Sequence, residues 1–447
     1  MSHRAAHRLD KIPKFTVWQE FTPLAVKHKA VNLGQGFPSF NPEPFVLQHA
    51  SAAIHDVNPL AHQYARGLGH LELVSCLQRK YAVQLGRSSP IAAVAPTATA
   101  DGSGSGLQND EVLILNGTTQ ALSCACQAFI SDGDEVVMFE PFFDLYINDI
   151  EMCGGKPIIG TLQPPTATMT TTTSGTTTTT RASEWRVDFD ALERRMTPRT
   201  KMILLNTPQN VPGKVWSLDE LQCIADIARR RDLLVIADEV YDHLLFDGAE
   251  HVSIASLPGM WERTITVASA GKTLTVTGWK VGWAIAPKEL ILPMSQVFAN
   301  QAFSVATPLQ VAVARSLTEA STNGYFDRLL ATYNRRREKL CTMLSNVGLP
   351  PVIPQGAFFA LADISNIRPE AYVTEKATAE GVARDWQFCR WLTTEIGVTA
   401  IPVTAFCTES SRPMFDRYVR FAFCKTDEAI EEAGRILAEK LPPHRRH

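Results

Sequence analysis

Short apolar runs of β-type residues recur through the middle of this chain, at 111–115, 135–139, 201–205, 233–237, 264–268 and 281–286. Between them the apolar positions take a helical spacing, which predicts helices over 119–130, 143–152, 188–196, 218–231 and 289–302. Strand–helix alternation of this kind points to a mostly parallel sheet covered on both faces. Two further helices, 44–57 and 71–83, precede it. After about 305 the pattern changes: long helices at 308–317, 324–346, 384–396 and 427–440 enclose short strands at 357–363 and 418–423. The organisation expected is therefore α/β, with a large domain over 46–305. A smaller α+β domain is built from 306–447 together with the N-terminal arm, 1–45.

Two stretches interrupt the pattern. Residues 88–109 are rich in Ser, Ala, Thr and Gly, and 163–184 carries a threonine tract. The first has too little apolar surface to order itself. Both read as loop insertions, because periodic structure resumes after each and long surface loops cost little stability.

Composition narrows the function classes. Of 447 residues, 45% are hydrophobic and 20% charged, which is ordinary for a globular protein, and a net charge of −3 gives no electrostatic case for nucleic acid or an anionic membrane. No apolar run approaches the about 18 residues of a membrane span. Nine scattered cysteines do not form a disulfide framework and suggest a reducing compartment. The first fourteen residues are basic but lack the apolar centre of a secretory signal. A cytoplasmic location is expected, with Arg4 and Arg8 leaving a mitochondrial one open.

The candidate chemistry follows the strand ends, where α/β proteins place it. Asn116-Gly117-Thr118-Thr119 opens a helix after the first run, either as a plain N-cap or as a phosphate site made of N–H groups and hydroxyls. Glu140-Pro141-Phe142-Phe143-Asp144 follows the next and offers an aromatic cover for a flat ring, or a core contact. Asn206-Thr207-Pro208-Gln209-Asn210-Val211-Pro212-Gly213 forces a turn and supplies asparagine donors. Asp238 ends the apolar strand 233–237, where a buried carboxylate requires a cationic partner unless it caps a helix; Tyr241 lies three residues on. Lys272 follows run 264–268 between Gly271 and Thr273, and a lysine among apolar neighbours can act as a nucleophilic amine. Ser269 and Lys280 flank it with a hydroxyl and a charge.

Taken together, these residues match the needs of pyridoxal 5′-phosphate: an amine for the aldehyde, a carboxylate for the ring nitrogen, and donors for the phosphate. Rival motifs fail. Gly271-Lys272-Thr273 imitates the end of a phosphate-binding loop, but the glycine that loop needs at 266 is Thr266. No His-Glu-x-x-His zinc motif occurs, and Cys124 and Cys126 read as helix core.

The chain resembles the fold-type I pyridoxal-phosphate aminotransferases. It is most similar to the kynurenine/glutamine transaminase branch, whose members are also cysteine-conjugate β-lyases, and to bacterial methionine aminotransferases. The resemblance rests on Ser-x-Gly-Lys-Thr…Thr-Gly-Trp-Lys-Val-Gly at 269–282, Asp-Glu-Val-Tyr at 238–241, Glu-Pro-Phe-Phe-Asp at 140–144, Gly-Gln-Gly-Phe-Pro at 34–38 and Val-Trp-x-Glu-Phe at 17–21. It implies a seven-stranded sheet and a homodimer with the active site at the subunit interface. Lys272 would bind the cofactor covalently, Asp238 would hold the ring nitrogen, Asn210 and Tyr241 the phenolic oxygen, and Phe143 would stack on the ring. Thr118, Thr119, Ser269 and Lys280 would hold the phosphate, with Tyr64 reaching in from a partner subunit. Arg420 would grip the substrate carboxylate, with Gly36 and Trp18 lining the pocket.

The implied activity is transfer of an amino group from kynurenine, glutamine, methionine or an aromatic amino acid to a 2-oxo acid. Cysteine-S-conjugate β-lyase and methionine-preferring aminotransferase activities are the alternatives. The chain departs from the family at Asn210-Val211-Pro212-Gly213, where Asn-Pro-x-Gly is usual, and at Thr119 and Val305, where the kynurenine enzymes carry aromatics.

Overall fold

Seven of the described strands form one sheet: β1 (Val112–Leu115), β2 (Glu135–Glu140), β3 (Lys156–Thr161), β4 (Thr200–Asn206), β5 (Leu234–Asp238), β6 (Thr264–Ser269) and β7 (Gly282–Ile285). The structure is a computed structural model that describes residues 5–87, 106–165, 170–172, 175–177 and 180–442. The spatial order is β1-β7-β6-β5-β4-β2-β3. Only β7 runs antiparallel to its neighbours, β6 and β1; the remaining pairs are parallel. Every residue of β1, β6 and β7 is buried between two helical layers, including the hydroxyl residues Thr264, Thr266 and Ser269 of β6.

The seventh strand, β3, escaped the hydrophobic pattern. It is an edge strand, half-exposed, with Pro157 and Gly160 in it, so it shows neither alternation nor a continuous apolar run. The helices fall close to their expected positions: Gly117–Phe129, Leu145–Met152, Phe189–Arg194, Leu218–Arg230 and Lys288–Gln301. The second of these starts two residues later than expected, which leaves Phe143 and Asp144 in the turn before it.

A second sheet carries Ile401–Pro402, Tyr418–Ala422, Phe359–Asp363, Pro351–Ile353 and Thr180–Arg181 in that order. Its last member corrects the reading of 163–184 as a loop insertion. Thr180–Arg181 pairs in parallel with Val352 and Ile353, and Thr170–Thr172 pairs with Gly175–Thr177 as a hairpin. β-Branched threonine favours extended backbone, which a search for apolar runs overlooks. Most of 88–109 lies outside the described residues, as does Arg4. The N-terminal arm joins the second sheet's side of the molecule through Val31–Asn32, which pairs with Val398–Thr399. Among the described residues no helix is long and apolar enough to cross a membrane. Cys124 and Cys126 are fully buried core residues.

Candidate active site

A cavity of about 230 Å³ opens at the carboxyl ends of the central strands. Trp18, Gly36, Thr118, Thr119, Phe143, Asn210, Asp238, Tyr241, Ser269, Lys272, Lys280 and Arg420 all line it. The chain thus brings twelve of its thirteen candidate residues to one place from segments spread between positions 18 and 420. Tyr64 is the exception. It is 80% exposed, stands outside the cavity, and packs edge-on against Phe303 at 5.1 Å.

Lys272 lies on the single turn of helix Ala270–Thr273 that follows β6. Its Nζ donates to the Gly36 carbonyl at 3.1 Å and sits 4.9 Å from the centre of the Phe358 ring. Burial pushes the amine down to about 8, with the Arg420 and Lys280 charges acting in the same direction against Cys424 and Asp238. A substantial neutral fraction is therefore present near physiological pH, as a nucleophile or general base needs. Gly36 has no room for a side chain: a Cβ there would meet the Phe359 ring at 2.5 Å.

Asp238 ends β5 and is 4% exposed. Tyr146 Oη donates to its Oδ2 at 2.7 Å and the Val240 N–H to its Oδ1 at 3.2 Å. Burial nevertheless raises the carboxyl to about 6, because these donors only partly replace water. Tyr146 was not singled out from sequence. Its one signal is the three-residue step from Phe143 into the helix, which places the two rings against each other, 5.6 Å apart and edge to face. Tyr241 is 3% exposed and packs edge-on against Phe358 at 5.2 Å, and burial raises its phenol.

Arg420 stands in the middle of Tyr418–Ala422, paired in register with Leu361 and Ile401. It is 1% exposed. Nη1 donates to Asn210 Oδ1 at 3.1 Å and Nη2 to the Gly34 carbonyl at 3.2 Å, while Nε is buried without a partner. Rings of Phe359, Phe406 and Trp18 surround the guanidinium at 4.0, 4.6 and 5.3 Å. Burial lowers it to about 10, still charged at neutral pH. A buried cation bonded to an amide and a carbonyl is incompletely compensated, and a bidentate carboxylate is what its fork geometry accepts. The Asn210–Val211 and Val211–Pro212 peptide bonds are both cis, and Asn210 N donates to Asn206 Oδ1 at 2.7 Å.

The opposite corner is built for an anion. Gly117, with φ +79°, begins the helix Gly117–Phe129, and a Cβ on it would lie 3.1 Å from Lys280 Nζ. Gly282 lets β7 approach: a Cβ there would meet the Gly117 carbonyl carbon at 2.5 Å. Thr118 Oγ1 is buried without a partner, and Ser269 and Lys280 face the same cavity. Helix-terminal N–H groups, hydroxyls and an ammonium are the donors an anion such as phosphate accepts. Phe359, from the second sheet, also lines the cavity and has no signal in the sequence, and Asn206, the last residue of β4, joins it there.

The sequence matches the family model "Aminotransferase class I and II" over residues 28–437. It is 40% identical over 423 residues to the kynurenine–oxoglutarate transaminase of Dictyostelium discoideum, covering 94% of this chain and 92% of that protein. It is 37% identical over 441 residues to human kynurenine–oxoglutarate transaminase 1, covering 98% and 97%. Among solved structures, Bna3p of Saccharomyces cerevisiae superposes with a TM-score of 0.87 at 30% identity, covering 98% of this chain and 99% of that one. YbdL of Escherichia coli, reported with a methionine aminotransferase function, gives 0.78 at 29% identity, covering 98% and 100%. With its sheet order, its strand-end cavity and these likenesses in agreement, the chain belongs to the aminotransferase class I and II family.

Proposed function

We propose that this aminotransferase moves the amino group of a large neutral amino acid (kynurenine, glutamine, methionine or an aromatic residue) to a 2-oxo acid in two half-reactions on pyridoxal 5′-phosphate. The observation that carries the substrate reading is Arg420: a buried cation, bonded to neutral groups and boxed by aromatic rings, close enough to Lys272 to lower its pKa. An α-carboxylate completes its coordination, and the surrounding Trp18, Phe143 and Phe359 favour an apolar or aromatic side chain over a charged one. The names of the relatives support kynurenine as donor, and that of the bacterial structural neighbour supports methionine.

The cofactor assignment is supported by the orphaned Thr118 hydroxyl and by the Gly117–Lys280 cradle, which fit a phosphate. Thr118, Thr119, Ser269 and Lys280 would hold that phosphate, Phe143 would cover the ring face, and Asn210 and Tyr241 would address the ring oxygen. Bound there, pyridoxal phosphate supplies an aldehyde to receive the amino group and a ring that withdraws electrons from the substrate Cα. Asp238 would keep a proton on the ring nitrogen through its negative charge. Lys272 would provide the amine for covalent attachment and, once free, would act as the general base and acid that moves the proton from the substrate Cα. Arg420 fixes the carboxylate, so that the bond to be broken keeps its orientation.

A cytoplasmic homodimer is part of the proposal. Exposed Val57, Leu60, Tyr64 and Phe303, at 96, 74, 80 and 57%, support an apolar subunit interface that would carry Tyr64 toward a neighbour's phosphate site. A donor-by-acceptor panel on the purified protein tests the substrate reading, with pyruvate release separating β-elimination from transfer. Lys272→Ala is expected to retain cofactor without turnover; full activity in that variant would sink the mechanism.

A further inference from the structure

One half-buried carboxylate, next in sequence to the cavity-lining Phe143, has no role in the chemistry above. Asp144 occupies the N-cap position of helix Leu145–Met152, yet its side chain caps no backbone N–H. Its Oδ2 instead accepts from Trp18 Nε1 at 2.9 Å, and its Oδ1 is buried without a partner. A carboxylate kept from water with so few donors is costly, and burial raises its pKa accordingly. An N-cap bond in the same place would relieve part of that cost.

The bond it makes links two parts of the molecule. Trp18 belongs to the helix Val17–His28. That helix is anchored by Phe21 against Trp386 at 5.6 Å and by Glu20 paired with Arg390, both on the side of the second sheet. Thr22, on the same helix, accepts from Gln35 of the N-terminal arm. Of the side-chain hydrogen bonds that this helix makes among the described residues, Trp18–Asp144 is the one that reaches the large domain, directly beside Phe143. The indole lies 5.3 Å from the Arg420 guanidinium and 6.3 Å from Phe406.

We propose that Asp144 is a positioning residue that locks the Trp18 indole in place as one wall of the Arg420 carboxylate site. The inference rests on the reading of Arg420 as the substrate-carboxylate receptor. Two roles for Asp144 predict opposite signs. A negative charge near Arg420 that did nothing else would weaken an incoming anion, so removing it would tighten binding. An anchor for the indole, once lost, lets the wall rotate and admits water to the guanidinium, so binding weakens. The substitution Asp144→Asn separates the two, because an amide oxygen still accepts from the indole N–H while the charge is gone.

The test is calorimetric binding of 3-phenylpropionate, a carboxylate that lacks the reacting amine, to the cofactor-loaded protein. Loss of a hydrogen bond to a charged group predicts a dissociation constant raised about tenfold in Asp144→Ala. Trp18→Phe, which removes the donor, should do the same, and the double variant should be no worse than either single one. Asp144→Asn should bind as tightly as the parent or more tightly, which also shows that the site folds without the charge. In steady-state assays the Asp144→Ala variant should raise KM with little change in kcat. Binding in Asp144→Ala equal to or tighter than the parent, or single effects that multiply in the double variant, would overturn the proposal. Arg420→Met serves as the separate control: if it binds the probe as well as the parent, the carboxylate-receptor reading falls, and the positioning role falls with it.

Discussion

Asp238 makes the site's demand on the fold measurable. Its carboxyl sits at about 6 against an ordinary 3.8, so the cofactor-free protein holds this proton over a pH range in which the unfolded chain has lost it. Stability then falls as pH rises: the penalty is absent below about pH 4, grows through the window between the two values, and is complete above about pH 6. A shift of about two units at about 1.4 kcal/mol each gives roughly 3 kcal/mol. At 4% exposure, solvent screening removes little of it. Asp238→Asn keeps an acceptor for Tyr146 Oη and for the Val240 N–H but cannot ionise. Apoprotein carrying it should therefore unfold at higher urea concentration than the parent at pH 7.5, with most of the gap gone by pH 4.5. Adding pyridoxal phosphate should reverse the order, because the protonated ring nitrogen is the cation that the ionised aspartate lacks, and the variant should be inactive. Equal urea midpoints for the two apoproteins at pH 7.5 would show that the donors around Asp238 already compensate its charge. The assignment of burial as the dominant cause would then be wrong.

Three further outcomes follow from neighbouring residues. Tyr146→Phe removes the 2.7 Å donor and should raise the Asp238 pKa by about one more unit, visible as an upward extension of the pH range over which apoprotein stability declines. Arg420→Lys loses the planar fork and should lower kcat/KM about 100-fold, mostly through KM, while the melting temperature barely moves. Gly117→Ala forces a side chain into φ +79° and against Lys280 Nζ, and should weaken cofactor affinity measured by fluorescence titration at least about tenfold, with a stability cost of about 1–2 kcal/mol.

Most of the framework was legible because the central strands are unbroken apolar runs and the residues after them are turn formers with chemistry of their own. Asn116-Gly117, Asn206-Thr207-Pro208, Asp238 and Ser269 each mark a strand end, and the parallel sheet then places all four on one edge. Two classes of feature were hidden. Strands without apolar patterning gave no signal, as with β3 and the threonine pairs. Supporting residues were hidden for a different reason: their local sequence has an ordinary explanation. Tyr146 reads as one more aromatic on a helix, and Asp144 as one more polar residue in the helix expected over 143–152. Only the fold shows that Tyr146 is directed at Asp238 and that Asp144 accepts from Trp18.

The same contrast explains why the reacting groups stand out chemically. Lys272 donates to a carbonyl, Asp238 accepts from a phenol and an N–H, and Arg420 donates to an amide and a carbonyl. Three ionisable groups, the buried Asp238 and Arg420 and the half-buried Lys272, share a cavity of about 230 Å³, and each is bonded to neutral partners. Pairing Lys272 with Asp238 in a direct salt bridge would hold the amine protonated and so remove its nucleophilic form. The rings of Phe358, Phe359, Phe406 and Trp18 instead exclude water around Lys272 and Arg420 without neutralising them. The missing charges are a cation opposite Asp238, an anion at Arg420 and a dianion at the Gly117–Lys280 corner. The ligand pair proposed above, a protonated pyridine phosphate with an α-amino acid, would supply all three at once.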